Sequence, residues 1–237
     1  MNNKRPFSEG IIFTLSDYFF WFLLGNVFFW IMNIPYLFVA ITMTGNIQIN
    51  VILILSLIPM GPALTALLSV MGKITRDGDI KLTKHFFKAY KESLFDSLFF
   101  WTLGLVILFV IKIDMILIIS NSYLWFINVF LKIIAVICLS LEFYIFPIIS
   151  RFHLKKKDII KLSFEYLVKK FYMCVLAFGV IYFLWMISNK EFQAVMILFS
   201  VSIITYVIMY LQKGVLKEIE DRLNMKNKNE LKIGNEN

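Results

Sequence analysis

The sequence predicts an all-α membrane protein: a polytopic helical bundle of six transmembrane helices with amphipathic interfacial connectors. Two observations predict it. The chain is 59% hydrophobic and only 17% charged, with a mean hydropathy of +0.77, which is too apolar for a soluble domain with a solvated surface. The apolar residues also gather in six long stretches, each close to the roughly 20 residues that cross a bilayer as a helix.

The predicted spans alternate with polar linkers, and the cationic residues occur almost entirely in every second linker and in the termini. The six spans are residues 18–43, 51–71, 94–111, 123–150, 171–187 and 192–211. Of the 24 Lys and Arg side chains, 21 lie in the tails or in two internal basic segments, and the other three are Lys112, Lys132 and Lys190. Because cytoplasmic loops are enriched in Lys and Arg, we expect a plasma-membrane protein with both termini in the cytoplasm.

The domain organisation follows from the same pattern. Residues 1–223 are predicted to form a single integral membrane domain, and residues 224–237 a polar, disordered cytoplasmic tail. The net charge of +8 is explained by the positive-inside bias and by attraction to anionic lipid headgroups. The lipid bilayer is therefore the expected partner, and no nucleic acid is expected.

The second span contains Pro59, Gly61 and Pro62, and proline inside a helix removes a backbone donor and clashes with the preceding turn. We expect a kink or a break there. Gly61, Thr65 and Ser69 recur every four residues, so three small side chains share a face that allows a neighbouring helix to approach closely. The sequence leaves two interpretations open, a kinked packing helix or a discontinuous helix at a substrate site.

Two connectors are predicted to be amphipathic helices along the cytoplasmic interface. In the first, between spans two and three, Phe86 and Tyr90 lie opposite a row of lysines, and we expect this aromatic face to enter the headgroup boundary. The alternative is a docking surface for a cytoplasmic partner. In the second, before span five, Ile160 and Phe164 belong to an apolar stripe with helical spacing.

An ordered set of short motifs resembles the YesL-type family of bacterial integral membrane proteins, a domain of unknown function. The motifs are Asn26 with Trp30 in span one, residues 61–66 (Gly-Pro-Ala-Leu-Thr-Ala), residues 85–91 in the first connector and residues 144–147 (Tyr-Ile-Phe-Pro). The resemblance implies a multi-pass plasma-membrane protein of Gram-positive bacteria, often encoded beside carbohydrate ABC transporters and glycan-degrading enzymes. It implies no established activity and no catalytic residue.

Among ionisable residues within the spans, Glu142 is the candidate for a functional role, close to Pro147 near the end of span four. A charged side chain at the bilayer centre costs roughly 2.5 to 3.5 kcal/mol on insertion scales, so a carboxylate retained there is a functional hypothesis. The alternative is a carboxylate that reaches interfacial water or Arg151. Asn26 and Asn33 share a face of span one and are expected to form hydrogen bonds between helices.

Signatures for nucleotide, metal or serine-nucleophile chemistry do not occur in the sequence, so no catalytic residue, cofactor or metal is expected. We expect a non-catalytic accessory or regulatory component linked to carbohydrate uptake, with ABC transporter subunits or a second copy of the chain as protein partners. The alternative is a small solute transporter or permease-like component in which the broken second helix, Asn26 and Glu142 line a polar path. An intramembrane enzyme is the least favoured class.

Overall fold

The computed structural model describes residues 7–42, 51–78, 80–119, 125–187 and 193–235, and the regular elements of these segments are all α-helices. This confirms the predicted all-α polytopic bundle. The helices are α1 (Phe7–Met32), α2 (Ile34–Thr42), α3 (Val51–Ser56), α4 (Met60–Asp77), α5 (Leu82–Ile119), α6 (Trp125–Arg151), α7 (Lys156–Lys169), α8 (Phe171–Ile187) and α9 (Gln193–Asn235).

Helix α4 lies at the centre of the bundle and packs against α1, α5, α6 and α9. Its small residues Gly61, Ala63 and Ala66 are buried, and they allow neighbouring helices to come close in a medium where van der Waals packing drives association. Most of the α4 surface is covered by protein, whereas the outer helices expose many large apolar side chains. This is the burial pattern of a bundle whose outer surface contacts lipid.

The first predicted span is not one helix. Helix α1 ends at Met32 and α2 begins at Ile34, with a turn at Asn33 between them. The physical reason is Pro35 in the first turn of α2, because proline cannot donate a backbone hydrogen bond to the preceding turn. Asn33 is fully buried, and its side-chain Nδ2 donates to the carbonyl oxygen of Phe29 at 2.7 Å. The sequence predicts that Asn33 forms a hydrogen bond to another helix. This prediction is wrong for the Nδ2 donor, because Nδ2 bonds to Phe29 in α1, the helix that ends just before Asn33.

The second span is broken where the sequence predicts it. Helix α3 ends at Ser56, residues 57–59 form a turn, and α4 begins at Met60 directly after Pro59. Trp101 of α5 donates from Nε1 to the carbonyl oxygen of Leu57 in this turn, at 2.8 Å. A neighbouring helix thus satisfies a backbone group at the break, as a membrane-embedded break requires.

The first connector differs from its prediction. It is not a separate interfacial helix but the first turns of the 38-residue α5, which contains no proline to interrupt it. Phe86 is fully buried and its ring lies 5.5 Å from that of Phe28 of α1, while Tyr90 is partly buried. The aromatic face therefore packs inside the protein rather than in the headgroup boundary.

The second connector is confirmed as a separate amphipathic helix. Helix α7 meets α8 at a sharp bend of 85°. One side of α7 buries Ile159 and Tyr166 against the bundle, whereas Ile160 and Phe164 of the predicted stripe remain about half exposed. The bend turns α7 away from the axis of α8 and leaves the apolar stripe of α7 on the outside of the bundle.

Within the described residues, five segments are long and apolar enough to cross a membrane, and one of them is the broken pair α3 and α4 (Ile52–Asp77). The bent pair of α7 and α8 brings the number to six if it counts as one span. Helix α8 has only 17 residues, slightly fewer than the usual span. The predicted disordered tail is not what the structure shows, because α9 continues without interruption to Asn235. Residues 224–235 include three lysines, one glutamate and one leucine, which favour helix, together with four asparagines, which favour it less.

Candidate functional site

Three of the four basic segments meet at one end of the bundle. The basic end comprises the last turn of α4, the first turns of α5, residues 151–170 and the part of α9 after Gln212. Lys213 of α9 donates from Nζ to the carbonyl oxygen of Thr75 in α4 at 3.1 Å, which ties two of these segments together. The fourth segment, at Lys4 and Arg5, lies outside the described residues.

Ion pairs join α7 to α9 at the basic end. Glu165 of α7 contacts Lys169 at 2.6 Å and Arg222 of α9 at 2.8 Å. Arg222 also contacts Glu218 at 2.9 Å, and Glu218 contacts Lys170 at 3.2 Å. We call these five side chains the α7–α9 ion network. The network joins α9 to α7 through Arg222 and Glu165, and it joins α9 to the turn at Lys170 through Glu218.

The α7–α9 ion network predicts a pH dependence of stability. Hydrogen bonds from Lys169, which has the larger effect, and from Arg222 lower the pKa of Glu165 to about 2. The pKa of an unperturbed Glu is about 4.3. A lowered folded-state pKa contributes stability that is present above the unfolded-state pKa and is lost as the pH falls toward 2. We expect wild type to unfold at a higher temperature than Glu165→Gln near pH 7, with the difference shrinking below about pH 4.3.

The measurement is thermal unfolding of both proteins in neutral detergent across this pH range. Added salt should also reduce the difference, because exposed pairs are screened. A difference that stayed constant from pH 7 to pH 3 would show that the Glu165 charge does not stabilise the α7–α9 contact.

A cavity of about 390 Å³ opens between the end of α4 and the beginning of α5, and we call it the basic cleft. His85 at its edge is hydrogen-bonded through Nε2 to Ser69 Oγ at 3.1 Å. This bond holds the imidazole between the two helices. The described residues that line the basic cleft are Lys73, Ile80, Lys81, Lys84, His85 and Lys88.

A smaller cavity of about 190 Å³ adjoins the basic cleft and shares His85 and Lys88 with it. It adds Arg76 of α4 and His153, which follows α6, to the cationic and imidazole groups at this place. Glu92 also lines it and pairs with Lys88 at 3.7 Å. Positive groups from three helical segments thus converge around two adjacent cavities.

Glu142 of α6 lies in a third cavity, of about 150 Å³, whose other described lining residues are apolar or aromatic. Gly104 of α5 faces it so closely that a Cβ at that position would overlap the Glu142 carboxylate. Arg151, which the sequence leaves open as a partner for Glu142, pairs instead with Glu220 of α9. An ion pair between Glu142 and Arg151 is therefore not what the structure shows. A functional role for Glu142 and its contact with interfacial water stay predictions.

Asn26 and Trp30 of α1 donate hydrogen bonds to the same backbone oxygen of α9. Asn26 donates from Nδ2 to the carbonyl oxygen of Ile197 in α9 at 2.5 Å, and Trp30 donates from Nε1 to the same oxygen at 3.1 Å. Two family-motif side chains of α1 therefore hold one backbone carbonyl of α9. The expected bond from Asn26 between helices is confirmed, but neither residue lines the described Glu142 cavity.

The small-residue face of α4 contacts α5, as the spacing predicts. Gly61 lies against Trp101, and a Cβ at Gly61 would overlap Trp101 Cβ and Cγ. Thr65 is fully buried and donates from Oγ1 to the carbonyl oxygen of Gly61 at 2.9 Å, while Ser69 bonds to His85. Pro62 is buried in the first turn of α4, where its missing N–H costs no helix hydrogen bond.

Pro147 leaves a backbone acceptor for a residue that the sequence analysis missed. Proline inside α6 cannot donate to the carbonyl oxygen four residues earlier, that of Phe143. Gln212 of α9, fully buried, donates from Nε2 to that oxygen at 2.6 Å. Its signal in the sequence is a lone amide at the end of an apolar span. Tyr144 likewise donates from its hydroxyl to the carbonyl oxygen of Lys170 at 2.7 Å, at the bend between α7 and α8.

Comparison with known proteins gives one family match, over a segment that contains α4 and most of α5, and one relative that covers most of the chain. A family described as "Protein of unknown function, DUF624" has a model that matches residues 22–115. Over these residues the chain matches DUF624. A relative of similar length is the "Uncharacterized protein YteU" of Bacillus subtilis (strain 168), 29% identical over 200 residues, which are 81% of this chain and 84% of the relative. No solved structure matches the chain.

These matches confirm the resemblance predicted from the sequence. The DUF624 segment contains the Asn26–Trp30 pair, the Gly61–Trp101 contact and the α4 and α5 walls of the basic cleft. Glu142, Pro147 and Gln212 lie beyond the matched residues. The matched residues thus include side chains whose contacts join α1 to α9 and α4 to α5.

Proposed function

We propose that this multi-pass membrane protein is a non-catalytic accessory or regulatory component linked to carbohydrate uptake, placed in the plasma membrane with both termini in the cytoplasm. The link to carbohydrate uptake is supported by the resemblance to the YesL-type family. The orientation is supported by the meeting of three basic segments at the basic end, which the positive-inside rule assigns to the cytoplasm.

The proposal rests on where the polar side chains of the bundle form hydrogen bonds and where its exposed charges lie. Within the bundle, Asn26, Trp30, Trp101 and Gln212 hydrogen-bond to backbone carbonyls of neighbouring helices. These groups join helices, and among the described residues Trp101 lines the Glu142 cavity whereas Trp30 lines a different one. The exposed charge is concentrated at the basic end, where the α7–α9 ion network joins α9 to α7 and to the turn at Lys170. A charged surface outside the membrane suits binding to another protein.

Co-purification tests the accessory role. We expect the tagged full chain to be isolated from mild detergent with ABC transporter subunits, identified by mass spectrometry. Lys157 is exposed on α7, and Lys157→Glu should weaken this association because it reverses a charge on the basic end. Lys112→Glu is the control, since Lys112 is exposed far from the basic end along α5. Isolation as a lone species, or as a dimer of this chain alone, would contradict the proposal.

A second candidate, a small solute transporter, is favoured by one observation. Glu142 places a carboxyl group in an otherwise apolar cavity that also contains Trp101, the side chain that bonds to the α3–α4 break. Ionisable side chains retained inside a membrane frequently mark substrate or proton pathways. A broken helix beside such a group is the arrangement of many transporter sites.

Proteoliposome flux decides this second candidate. If the chain is a transporter, Glu142→Gln should reduce solute flux severalfold, because the amide keeps the shape but cannot ionise. Asp114→Asn is the matched control, a carboxylate of α5 outside the Glu142 cavity. Equal flux in wild type and Glu142→Gln would remove Glu142 from the mechanism, and no flux in wild type would remove the transporter candidate.

A further inference from the structure

The carboxylates of the basic end are distributed unevenly among its cations. The carboxylates of Glu165, Glu218 and Glu220 pair with cations of α6, α7, α9 and the turn at Lys170. The cations of α4 and α5 that line the basic cleft have fewer acidic side chains beside them. Of the described residues that line the basic cleft, none is acidic, and in the adjoining cavity Glu92 pairs with Lys88 over a distance of 3.7 Å.

The basic cleft has the size and the electrostatics of a ligand site. Its volume of about 390 Å³ lies within the range of roughly 300–1,000 Å³ that is typical of small-molecule pockets. Clefts lined by charges of one sign concentrate the field and attract counter-ions. Lys73 comes from α4, whereas Lys81 and Lys84 flank the start of α5, where free backbone N–H groups add positive potential.

We propose that the basic cleft binds a phosphate group. Phosphate presents several charged oxygens in a tetrahedral arrangement, so it can contact lysines of α4 and α5 at the same time, and lysine is a common point-charge ligand of phosphate. His85, held by Ser69, supplies a ring nitrogen at the same wall. The group belongs to an anionic lipid headgroup or to a free phosphate species, since a cleft at the membrane surface is open to both.

The phosphate site does not depend on the proposed role in carbohydrate uptake, because it rests on the charges and the cavity alone. The test uses the full chain in nanodiscs of neutral lipid. One arm titrates inorganic phosphate, with chloride at equal ionic strength as reference, and the other replaces part of the neutral lipid with phosphatidylglycerol. Binding is followed by the shift in thermal unfolding temperature.

The test variant is Lys81→Gln/Lys84→Gln, and the control is Lys155→Gln/Lys157→Gln. Each pair removes two exposed charges from the basic end, but only the first pair lines the cleft. We expect wild type and control to bind alike. Binding to the cleft variant should be about twofold to thirtyfold weaker, the range for two exposed charge contacts.

The two arms distinguish the sources of the phosphate group. Binding of phosphatidylglycerol without inorganic phosphate assigns a lipid headgroup, and binding of inorganic phosphate assigns a free phosphate species; both support the site if the cleft variant is selectively weakened. Equal weakening of the cleft variant and the control would show a general surface attraction and overturn the proposal. So would the absence of binding in both arms.

Discussion

Replacing Gly61 with alanine is expected to destabilise the bundle strongly, because the contact between α4 and α5 leaves no space for a methyl group. A Cβ at Gly61 would overlap Cβ and Cγ of Trp101, and these atoms are too near the α5 backbone to move away alone. The two helices must separate, which also weakens the bond from Trp101 to Leu57 at the helix break. Overpacking typically costs about 1 to 3 kcal/mol, and we expect the upper part of that range.

Gly179→Ala is the matched control. Gly179 lies in α8, and a Cβ there would have no neighbour within 4 Å. The unfolding free energy of Gly179→Ala should equal or slightly exceed that of wild type, because alanine favours helix over glycine. Denaturant unfolding in mixed micelles, followed by tryptophan fluorescence, measures both. Equal stability of Gly61→Ala and Gly179→Ala would show that α4 and α5 are not in the close contact described.

Gln212→Leu should destabilise the contact between α6 and α9. Leucine removes the donor to the Phe143 carbonyl oxygen, which Pro147 leaves without its usual helix partner. A buried carbonyl that loses its partner costs about 1 to 3 kcal/mol, although hydrogen bonds within membranes often contribute about 1 kcal/mol or less. We therefore expect a loss of about 1 to 2 kcal/mol in the unfolding free energy.

Pro147→Ala tests the cause of that loss. Alanine at position 147 restores an N–H that can bond to the Phe143 carbonyl oxygen within α6. In the Pro147→Ala background, Gln212→Leu should therefore cost less than it costs in wild type. The comparison is a double-mutant cycle of unfolding free energies. Equal costs in both backgrounds would mean that Gln212 stabilises the bundle in another way.

Local sequence signals predicted the breaks and helices that depend on local chemistry. Pro59 and Pro62 predicted the break between α3 and α4, and the apolar stripe through Ile160 and Phe164 predicted α7. The break at Asn33 was missed although Pro35 signals it by the same rule. The apolar stretch on both sides of Pro35 is long enough to cross a bilayer, so its length alone does not reveal the break.

The first connector shows what a periodic pattern cannot specify. A row of lysines opposite Phe86 and Tyr90 predicts a helix with two faces, but it does not say whether the apolar face meets lipid or protein. The structure puts Phe86 against Phe28 of α1, more than 50 residues earlier in the chain. Whether such a helix is separate or continuous with the next span depends on the intervening residues, and here no proline interrupts α5.

The candidate sites were only partly predictable. Glu142 was found because a carboxylate in an apolar span is unusual, yet the cavity around it depends on α4, α5, α8 and α9. Gln212 was missed because its partner, the Phe143 carbonyl oxygen, is 69 residues away in sequence. The charge pattern predicted that basic segments would share one side of the membrane. It could not predict that Lys73 and Lys84 would line one cleft while Glu165 and Arg222 pair elsewhere.

Site-specific photo-crosslinking in intact cells tests most directly whether the protein acts through its basic end. A photoreactive residue would replace Lys157, exposed on α7, and in a second protein Val136, exposed on the lipid-facing side of α6. The proposed function predicts a crosslink from position 157 to an ABC transporter subunit, identified by mass spectrometry, and none from position 136. A transporter subunit captured from position 136 and not from position 157 would contradict it.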